Sequence, residues 1–354
     1  MQRGISLTEL ASRIEGNKAL KQDMVADSKA TQMVVDEEGV TALEAEDHGR
    51  YPIMPIAAGQ IADRLKIPTK YYNRMAEEAP SLLANNVNEW LGRSDDRRML
   101  RTLGGDLRAY MSDKYLRIEH EAVAEVALPI FAAIPNVSII SCELTDRKMY
   151  IQVVFNDLVD EVRGGVVPND IVKAGVILEN SEVGLGGYNI FPLIMREWCT
   201  NGCKINDGAM RKRHLGRQQD EGLLIDFKDD TKMAQDEALM LEARDTILAC
   251  TDEATFAMRV NSMSGLTEAK VTGDPIKAVE VLAQKVGASQ EEGSGILRSL
   301  IENGDLSAWG MLNAVTAQAH NADVSYDRAV EFEAEGGKLL EMPKSEWTRV
   351  LEAA

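Results

Sequence analysis

The chain has 354 residues, which is long enough to bury a sizeable core and to form two or three structural units. Its formal net charge of -18 indicates an acidic surface that opposes bulk attraction to nucleic acid or to an anionic membrane. No apolar run reaches the roughly 18 residues that a membrane span needs. The N-terminal stretch has no apolar signal core, and four cysteines are too few for a disulfide framework in so long a chain. We therefore expect a cytoplasmic protein that does not contact a membrane.

The N-terminal quarter is expected to form a helix, a group of strands and a pair of helices. Residues 7–16 have a helical pattern, residues 24–56 are strand-like, and the Glu-Glu-Gly at 37–39 suits a hairpin turn. Apolar residues recur at helical spacing over 57–92, with Pro68 near a helix start. The helices on either side of Pro68 are similar to a helix-turn-helix. Because the second helix ends in two glutamates, which repel phosphate, we interpret them as a packed pair.

Strands separated by turns dominate the middle of the chain. The glycine pair 104–105 predicts a hairpin between two strand-like segments. Residues 120–134 form an amphipathic helical pattern, residues 137–155 are typical of a strand, a turn and a second strand, and residues 170–206 supply two or three more strands.

Helical periodicity dominates from about residue 229 to the C-terminus. The sequence therefore predicts an α+β fold, in which a mixed or antiparallel sheet with packed helices is followed by a helical C-terminal part. The expected units are residues 1–55 as N-terminal strands, residues 56–228 as an α+β core with basic hairpins, and residues 229–354 as a helical region.

Two segments depart from the acidic average. The first basic segment, residues 93–117, has seven basic and four acidic residues, and the second basic segment, residues 196–217, has six basic and two acidic residues. Such clusters in an acidic protein indicate a local anion-binding surface. The alternative is that each cation pairs with an acidic neighbour in the folded chain.

Aromatic residues accompany both basic segments. Cationic grooves with stacking rings bind single-stranded nucleic acids without reading their sequence, whereas aromatic rings in general fill the core. The candidate nucleic-acid-binding residues are Arg97, Arg98, Arg101, Arg108, Tyr110, Lys114, Tyr115, Arg117, Arg211, Lys212, Arg213, His214 and Arg217.

Cys199, Cys203 and His214 form a partial zinc-ligand set. Asn201-Gly202 between the cysteines is a strong signal for a two-residue hairpin turn. In such a hairpin Thr200 lies opposite Cys203, so the two thiols are on opposite faces and cannot chelate one ion. With a fourth ligand also missing, we expect a hairpin and no metal site.

Sequence motifs of phosphate-binding loops, zinc proteases and serine hydrolases are absent, and no cofactor is expected. The glycine-rich stretch 184–187 lacks the spacing of a dinucleotide-binding loop and is interpreted as a strand connection. Carboxylates near lysines loosely suggest a metal-dependent nuclease. These groupings are Glu143, Asp146 and Lys148, and Asp157, Asp170 and Lys173.

Several motifs together resemble a known family. They are an Arg-Ala-x-x-Ser-Asp-x-Tyr segment, an Asn-Ser pair before a glycine-rich turn, and a Cys-Thr-Asn-Gly hairpin. Over about residues 56–337 the chain resembles the phage/plasmid-like family catalogued as domain of unknown function nine hundred and thirty-two. The matching positions are Arg108, Ala109, Ser112, Asp113, Tyr115, Asn180, Ser181, Cys199, Thr200, Asn201 and Gly202. The resemblance implies a gene of phages, prophages and plasmids, and leaves the activity open.

The layout of a sheet crossed by helices, with cationic hairpins, is also similar to that of phage single-strand annealing proteins, by analogy only. The leading hypothesis is therefore a non-enzymatic, homo-oligomeric protein of a phage or plasmid that binds and anneals single-stranded DNA. Two alternatives stay open. One is a phage protein that binds a host protein as an acidic decoy or inhibitor, and the other is a metal-dependent nuclease.

Overall fold

The structure, a computed structural model, describes residues 4–197, 201–212 and 229–353. The protein has an α+β fold, as predicted, with antiparallel sheets in its N-terminal and middle parts and a helical C-terminal part. Among the described residues, no helix combines the length and the apolar composition that crossing a bilayer requires.

The first part of the chain forms two small antiparallel sheets with three helices packed on them. Strands β1 to β6 span Lys21–Asp27, Thr31–Val35, Thr41–Ala45, Gly49–Pro52, Arg97–Leu103 and Asp106–Ser112. Helices α1 to α4 span Leu7–Lys18, Pro55–Arg64, Thr69–Glu78 and Pro80–Leu91. The sheets have the strand orders β1-β5-β6 and β2-β3-β4. Their shared core includes Met33, Leu43, Ile61, Leu83 and Leu100.

Local sequence signals in this region are confirmed. The Glu-Glu-Gly turn joins β2 to β3, and its Gly39 has a φ of 85°. Gly104 and Gly105 have φ values of 63° and 96°, so the β5–β6 hairpin uses two consecutive left-handed residues that glycine adopts without strain. Tyr72 and Met75 of α3 are buried in the core beside α2, which makes the helix pair a packing unit.

A six-stranded antiparallel sheet forms the centre of the molecule. Strands β7 to β12 span Val137–Leu144, Met149–Glu161, Ile171–Asn180, Tyr188–Arg196, Gly202–Lys204 and Met210–Lys212, and helix α5 spans His120–Ala133. The strand order is β11-β10-β9-β8-β7, and β12 also pairs with β10. Along β8 the residues Ile151 and Val153 share a core cluster with Leu10 of α1 and Phe131 of α5.

One helix of the C-terminal part packs against the other side of this sheet. Helices α6 to α12 span Asp229–Ala249, Glu253–Glu268, Pro275–Lys285, Gln290–Asn303, Ala308–Ala317, Tyr326–Leu340 and Lys344–Leu351. Tyr150 and Gln152, which alternate with the residues facing α1 and α5, donate hydrogen bonds to Asp327 and Glu333 of α11. Helix α11 therefore covers this face of the sheet, while α6 contacts α5.

The hairpin between β10 and β11 has a different turn from the one predicted. Gly202 is the first residue of β11 and pairs with Met195, and Cys203 pairs with Ile194. The prediction of a two-residue turn at Asn201-Gly202 was therefore wrong. Gly202 is not in the left-handed region; a Cβ there would lie 2.9 Å from Oε1 of Glu333, so a side chain at this position would crowd α11. Cys203 is buried, and Cys199 lies outside the described residues.

Residues of the predicted N-terminal unit, such as Met33 and Leu43, share a core cluster with α4 and with residues of α2 beyond the predicted boundary, such as Ile61. The boundaries of the three units stay a prediction.

Candidate anion-binding cleft

An open cleft of about 560 Å³ lies where the first basic segment meets the second. Its walls come from the end of α2, strands β5 and β6, the loop 184–187, and the paired strands β10 and β12. The residues that give it polar and cationic character are Gln60, Asp63, Arg64, Arg98, Asn189 and Arg211. We call this the cationic cleft.

Arg98 and Arg64 form one side of the cationic cleft. Nη2 of Arg98 lies 3.2 Å from Oδ2 of Asp96, and Arg64 pairs with the same carboxylate oxygen. The Arg98 guanidinium also lies 5.9 Å from the centre of the Tyr110 ring. Two guanidinium groups thus share the Asp96 carboxylate, while Asp63 beside Arg64 adds a second negative charge to the cleft wall.

Arg211 forms the opposite side of the cationic cleft. It is placed there because β12 pairs with β10, which sets Arg211 opposite Asn189. Its exposed guanidinium hydrogen-bonds to the side chain of Asn206 and lies 5.2 Å from the centre of the Phe191 ring. Within the described part of the chain, no carboxylate lies within ion-pair distance of Arg211. Among the described residues, its charge is not neutralised by a carboxylate.

The glycine-rich loop 184–187 forms the floor of the cationic cleft. Gln60 fixes the loop to β6, because its Nε2 donates to the Val183 carbonyl at 2.7 Å while its Oε1 accepts from the Tyr110 amide at 2.7 Å. Gly184 has a φ of 75°, and a Cβ there would lie 2.8 Å from Sδ of Met111. The loop is thus a tightly packed floor that brings backbone close to the cleft.

Tyr110 and Tyr115 are part of the walls of the cationic cleft. Tyr110 is only 3% exposed and belongs to the core that includes α2 and α4. The hydroxyl of Tyr115 donates to the Ser181 carbonyl at 3.0 Å, and its ring packs with Met99 and Met111. The prediction that Tyr110 stacks on bases was wrong, because its ring is enclosed by protein.

Arg101 and Arg108 were predicted to contact backbone phosphates, and the structure contradicts this. Arg101 is 1% exposed; its Nε donates to Asp23 at 2.8 Å, its Nη1 donates to the Glu182 carbonyl at 2.9 Å, and its Nη2 donates to Glu119. Nη1 of Arg108 donates to the Glu182 carboxylate at 2.8 Å. Both cations tie strands β5 and β6 to the segment that follows β9.

The same buried network contains three carboxylates whose oxygens lie close enough together to bind a metal ion: Glu119, Glu121 and Glu182. The Nζ of Lys21 lies 3.3, 2.8 and 2.6 Å from them, respectively. The ammonium group thus supplies the positive charge that a cation would bring. Sequence reasoning missed this cluster, because its members come from β1, the start of α5 and the end of β9.

Burial by itself would raise the pKa of Glu182, but the protonated His120, Arg108 and Lys21 outweigh it and hold that pKa well below its usual range. Burial lowers the pKa of the neighbouring His120 to about 4, so its ring is neutral at pH 7. At pH 7 the Glu182 carboxylate is therefore paired with Lys21 and Arg108 beside a neutral imidazole.

The remaining candidates of the first basic segment lie at the surface and outside the cleft walls. Arg97 lies 3.5 Å from Asp27, and Arg117 lies 3.3 Å from Asp23, both as exposed cations. Lys114 is exposed. Ion pairs of this kind contribute about 0–1 kcal/mol, so they leave the cations accessible.

In the second basic segment, burial removes two more cations. Lys204 is 8% exposed and pairs with Glu179, and Arg196 is 7% exposed and pairs with Asp170. Lys212 pairs with Glu242 at the surface. Arg213, His214 and Arg217 lie outside the described residues.

Several members of the groupings that suggested a nuclease bind other side chains of the protein. Asp170 is fully buried, accepts hydrogen bonds from Arg196 and accepts another from Nε1 of Trp309 at 3.0 Å. Asp157 accepts two hydrogen bonds from Asn136. Lys148 is bound to Glu179.

No protein-family model, curated protein or solved structure matches the chain. The resemblance to the phage/plasmid-like family therefore stays a prediction.

Proposed function

We propose that the protein binds single-stranded DNA in the cationic cleft and promotes annealing of complementary strands. The observation that carries this proposal is that Arg98 of the first basic segment and Arg211 of the second line one cleft. The two arginines are far apart in the sequence, and the pairing of β12 with β10 sets Arg211 opposite Asn189, which is also a cleft residue.

The charge inside the cleft favours an anion even though the whole chain is acidic. Arg64, Arg98 and Arg211 contribute three positive charges, against the carboxylates of Asp63, which lines the cleft, and Asp96, which pairs with two of the arginines. The Arg64–Asp96 pair is about half exposed, so a phosphate competes for the guanidinium at little cost. Backbone phosphates supply most of the affinity of nucleic-acid-binding proteins, and the cleft is suited to that contact.

The shape of the cleft favours a single strand over a duplex. A volume of about 560 Å³ accommodates a short segment of a flexible strand whose bases are splayed apart, whereas a rigid duplex does not enter such a cleft. A strand held by its phosphates keeps its bases available for pairing, which is the requirement for annealing. Homo-oligomerisation and an origin in a phage or plasmid belong to the same proposal; the first goes with the analogy to annealing proteins and the second with the sequence motifs.

Fluorescence anisotropy with labelled single- and double-stranded oligonucleotides tests the proposal. We expect preferential binding of the single strand. Three phosphate contacts should give a slope of log affinity against log salt of about -2, since each contributes roughly -0.7 for single strands. The double variant Arg98→Ala/Arg211→Ala should lose most of the binding.

Arg97→Ala is the matched control, because Arg97 is an exposed arginine of the same basic segment outside the cleft walls. It should bind nearly as well as the unchanged protein. Absence of single-strand binding at low salt, or equal losses in the double variant and in Arg97→Ala, would refute the proposal.

A further inference from the structure

The central six-stranded sheet ends at strand β7, which pairs with β8 along one side. Among the described residues, the other side of β7 has a single bridge, between Cys142 and Ile5. The Ile5 N–H donates to the Cys142 carbonyl at 2.8 Å, so the C-terminal half of this outer side is occupied. We call the remaining outer stretch, residues 137–140, the free edge.

The free edge directs backbone hydrogen-bonding groups outward. The Asn156 N–H donates to the Asn136 carbonyl at 2.9 Å, and Ser138 follows in the same register, so both Asn136 and Ser138 bond to β8. Because the partners in an antiparallel ladder alternate, the N–H and C=O groups of Val137 and Ile139 point away from β8. Within the described part of the chain, no hydrogen bond reaches these outward groups. Such a row of donors and acceptors is a template for another strand.

The free edge lacks the protection that outer strands of native proteins have, such as a charged side chain, a proline or a covering element. No charged residue occurs between Glu125 and Glu143, and β7 contains no proline. Residues 137–140 are partly exposed. The outer strand β2 differs, because the Asn88 side chain on α4 bonds both the N–H and the C=O of Met33, at 2.6 and 2.9 Å. The chain thus covers β2 itself and leaves the free edge uncovered.

The charge of the chain favours a second copy as the occupant of the free edge. Two copies, each with a formal net charge of -18, repel over most of their surfaces and approach at least cost where charge is absent. A basic partner attracted to the acidic surface would find no carboxylate in residues 126–142 to bind. This uncharged stretch therefore suits contact between identical acidic molecules better than contact with a cationic peptide.

The free edge is also self-complementary. A two-fold axis at Ser138 sets Val137 of one copy opposite Ile139 of the other, and the outward N–H and C=O groups of both copies are then all paired. This pairing spans residues 137–139 and ends before the bridge between Cys142 and Ile5. A longer foreign strand would meet that bridge, so the short symmetric pairing fits better.

We propose that the free edge pairs with the free edge of a second copy, which joins two central sheets into one continuous sheet across a two-fold axis. The pairing gives a surface to the homo-oligomerisation in the proposed function and rests on that part of it, not on the DNA contact. Ser138 occupies a non-hydrogen-bonded position of the new pairing and therefore lies opposite its own counterpart, with the two Cα atoms about 4.5 Å apart.

Charge substitutions at Ser138 test the pairing. Ser138→Lys and Ser138→Glu each place like charges opposite one another at the axis and should raise the dissociation constant of the dimer at least tenfold. An equimolar mixture of the two variants should regain the dimer, because opposite charges then meet. Sedimentation equilibrium of the full chain without nucleic acid measures this, at up to about 100 μM because so small a contact is weak. Ser262→Lys, at an exposed serine of α7, is the matched control and should dimerise like the unchanged protein.

Ser138→Cys tests the same pairing with a smaller change. Under mild oxidation this variant should form a disulfide-linked dimer, because a non-hydrogen-bonded pair brings the two Cβ atoms within disulfide range. The unchanged protein and Ser262→Cys should not crosslink. The double variant Arg98→Ala/Arg211→Ala, which removes the DNA contact, should dimerise like the unchanged protein.

The proposal is overturned if the full chain is monomeric at the highest concentration, if Ser138→Lys dimerises as tightly as Ser262→Lys, or if the mixture associates no better than its components. Failure of Ser138→Cys to crosslink would also overturn it. Because no nucleic acid is present, these results leave the single-strand-binding proposal to its own test.

Discussion

Burial determines the charge of the His120 side chain. It begins α5, and its Nδ1 lies 3.0 Å from Nδ2 of Asn180, which acts as the donor. Burial lowers its pKa to about 4 in the folded protein, compared with about 6.5 in an unfolded chain. Between these values the unfolded chain takes up a proton that the folded protein does not, so folding stability falls as the pH is lowered.

We expect the free energy of unfolding to decrease by about 2 kcal/mol between pH 7.5 and pH 5. The lower pH lies about 1.5 units below the pKa of histidine in the unfolded chain, and a difference of that size corresponds to about 2 kcal/mol. Urea denaturation at several pH values measures it. His120→Gln should flatten this dependence, whereas His48→Gln, at an exposed histidine, should leave it unchanged. Equal slopes for both variants and the unchanged protein would show that His120 is not the responsible group.

The environments of single arginines could be predicted from the sequence only in part. The arginines of β5 and β6 could be counted from the sequence, and pairing with acidic neighbours was one of the two expectations. Which arginines pair was not predictable: Arg101 is buried by Asp23 and Glu119, which come from β1 and the segment before α5. Arg64 was missed as a cleft residue because a single arginine on a helix carries no signal. Only the tertiary fold places it beside Arg98.

Hairpins and helices agree with the local sequence signals where interactions between neighbouring residues determine them. The Gly104-Gly105 turn required only left-handed backbone, and the sequence predicted it. Helix α9 likewise has a capping box of Ser289 and Glu292 and ends at Gly304, which has a φ of 67°. The β10–β11 turn was misplaced because Gly202 meets a tertiary requirement, the approach of α11. A glycine that serves a distant contact looks the same in the sequence as a glycine that serves a turn.

The close approach of helix α11 to strand β11 can be tested by substitution of a glycine in the helix. A Cβ at Gly337 would lie 1.9 Å from the backbone oxygen of Lys204 in β11. Alanine is favoured over glycine by about 1 kcal/mol within a helix, but overpacking against backbone costs more. We expect Gly337→Ala to lower the free energy of unfolding by about 2 kcal/mol in urea denaturation.

The control is Gly265→Ala, at an exposed glycine of α7 where a Cβ meets nothing within 4 Å. This variant should raise the free energy of unfolding by about 0.5–1 kcal/mol. If both variants change stability in the same direction, α11 does not press against β11.

For the whole molecule, the helical part belongs to the same core as the sheet. Trp309 of α10 and Phe332 of α11 share a cluster with the sheet residues Ile151, Val176 and Ile194. The polar contacts of Tyr150 with Asp327, and of Trp309 with Asp170, fix the register of this packing. The sequence predicted the helices, but it gave no indication of whether they cover the sheet or form a separate module.

This arrangement predicts that the sheet does not remain folded without its helical cover. A chain that ends at residue 228 would expose an apolar sheet face, including Phe191 and Ile177, that α11 otherwise covers. Exposed apolar area of that extent drives association. We expect the shortened chain to elute as aggregates in size-exclusion chromatography and to bind a hydrophobic dye, while the full chain does neither. The opposite result would be a shortened chain that stays monomeric and keeps the near-ultraviolet circular dichroism spectrum of its tyrosines. Because the sheet would then be stable without the helices, that result would mean that the helices are an independent unit.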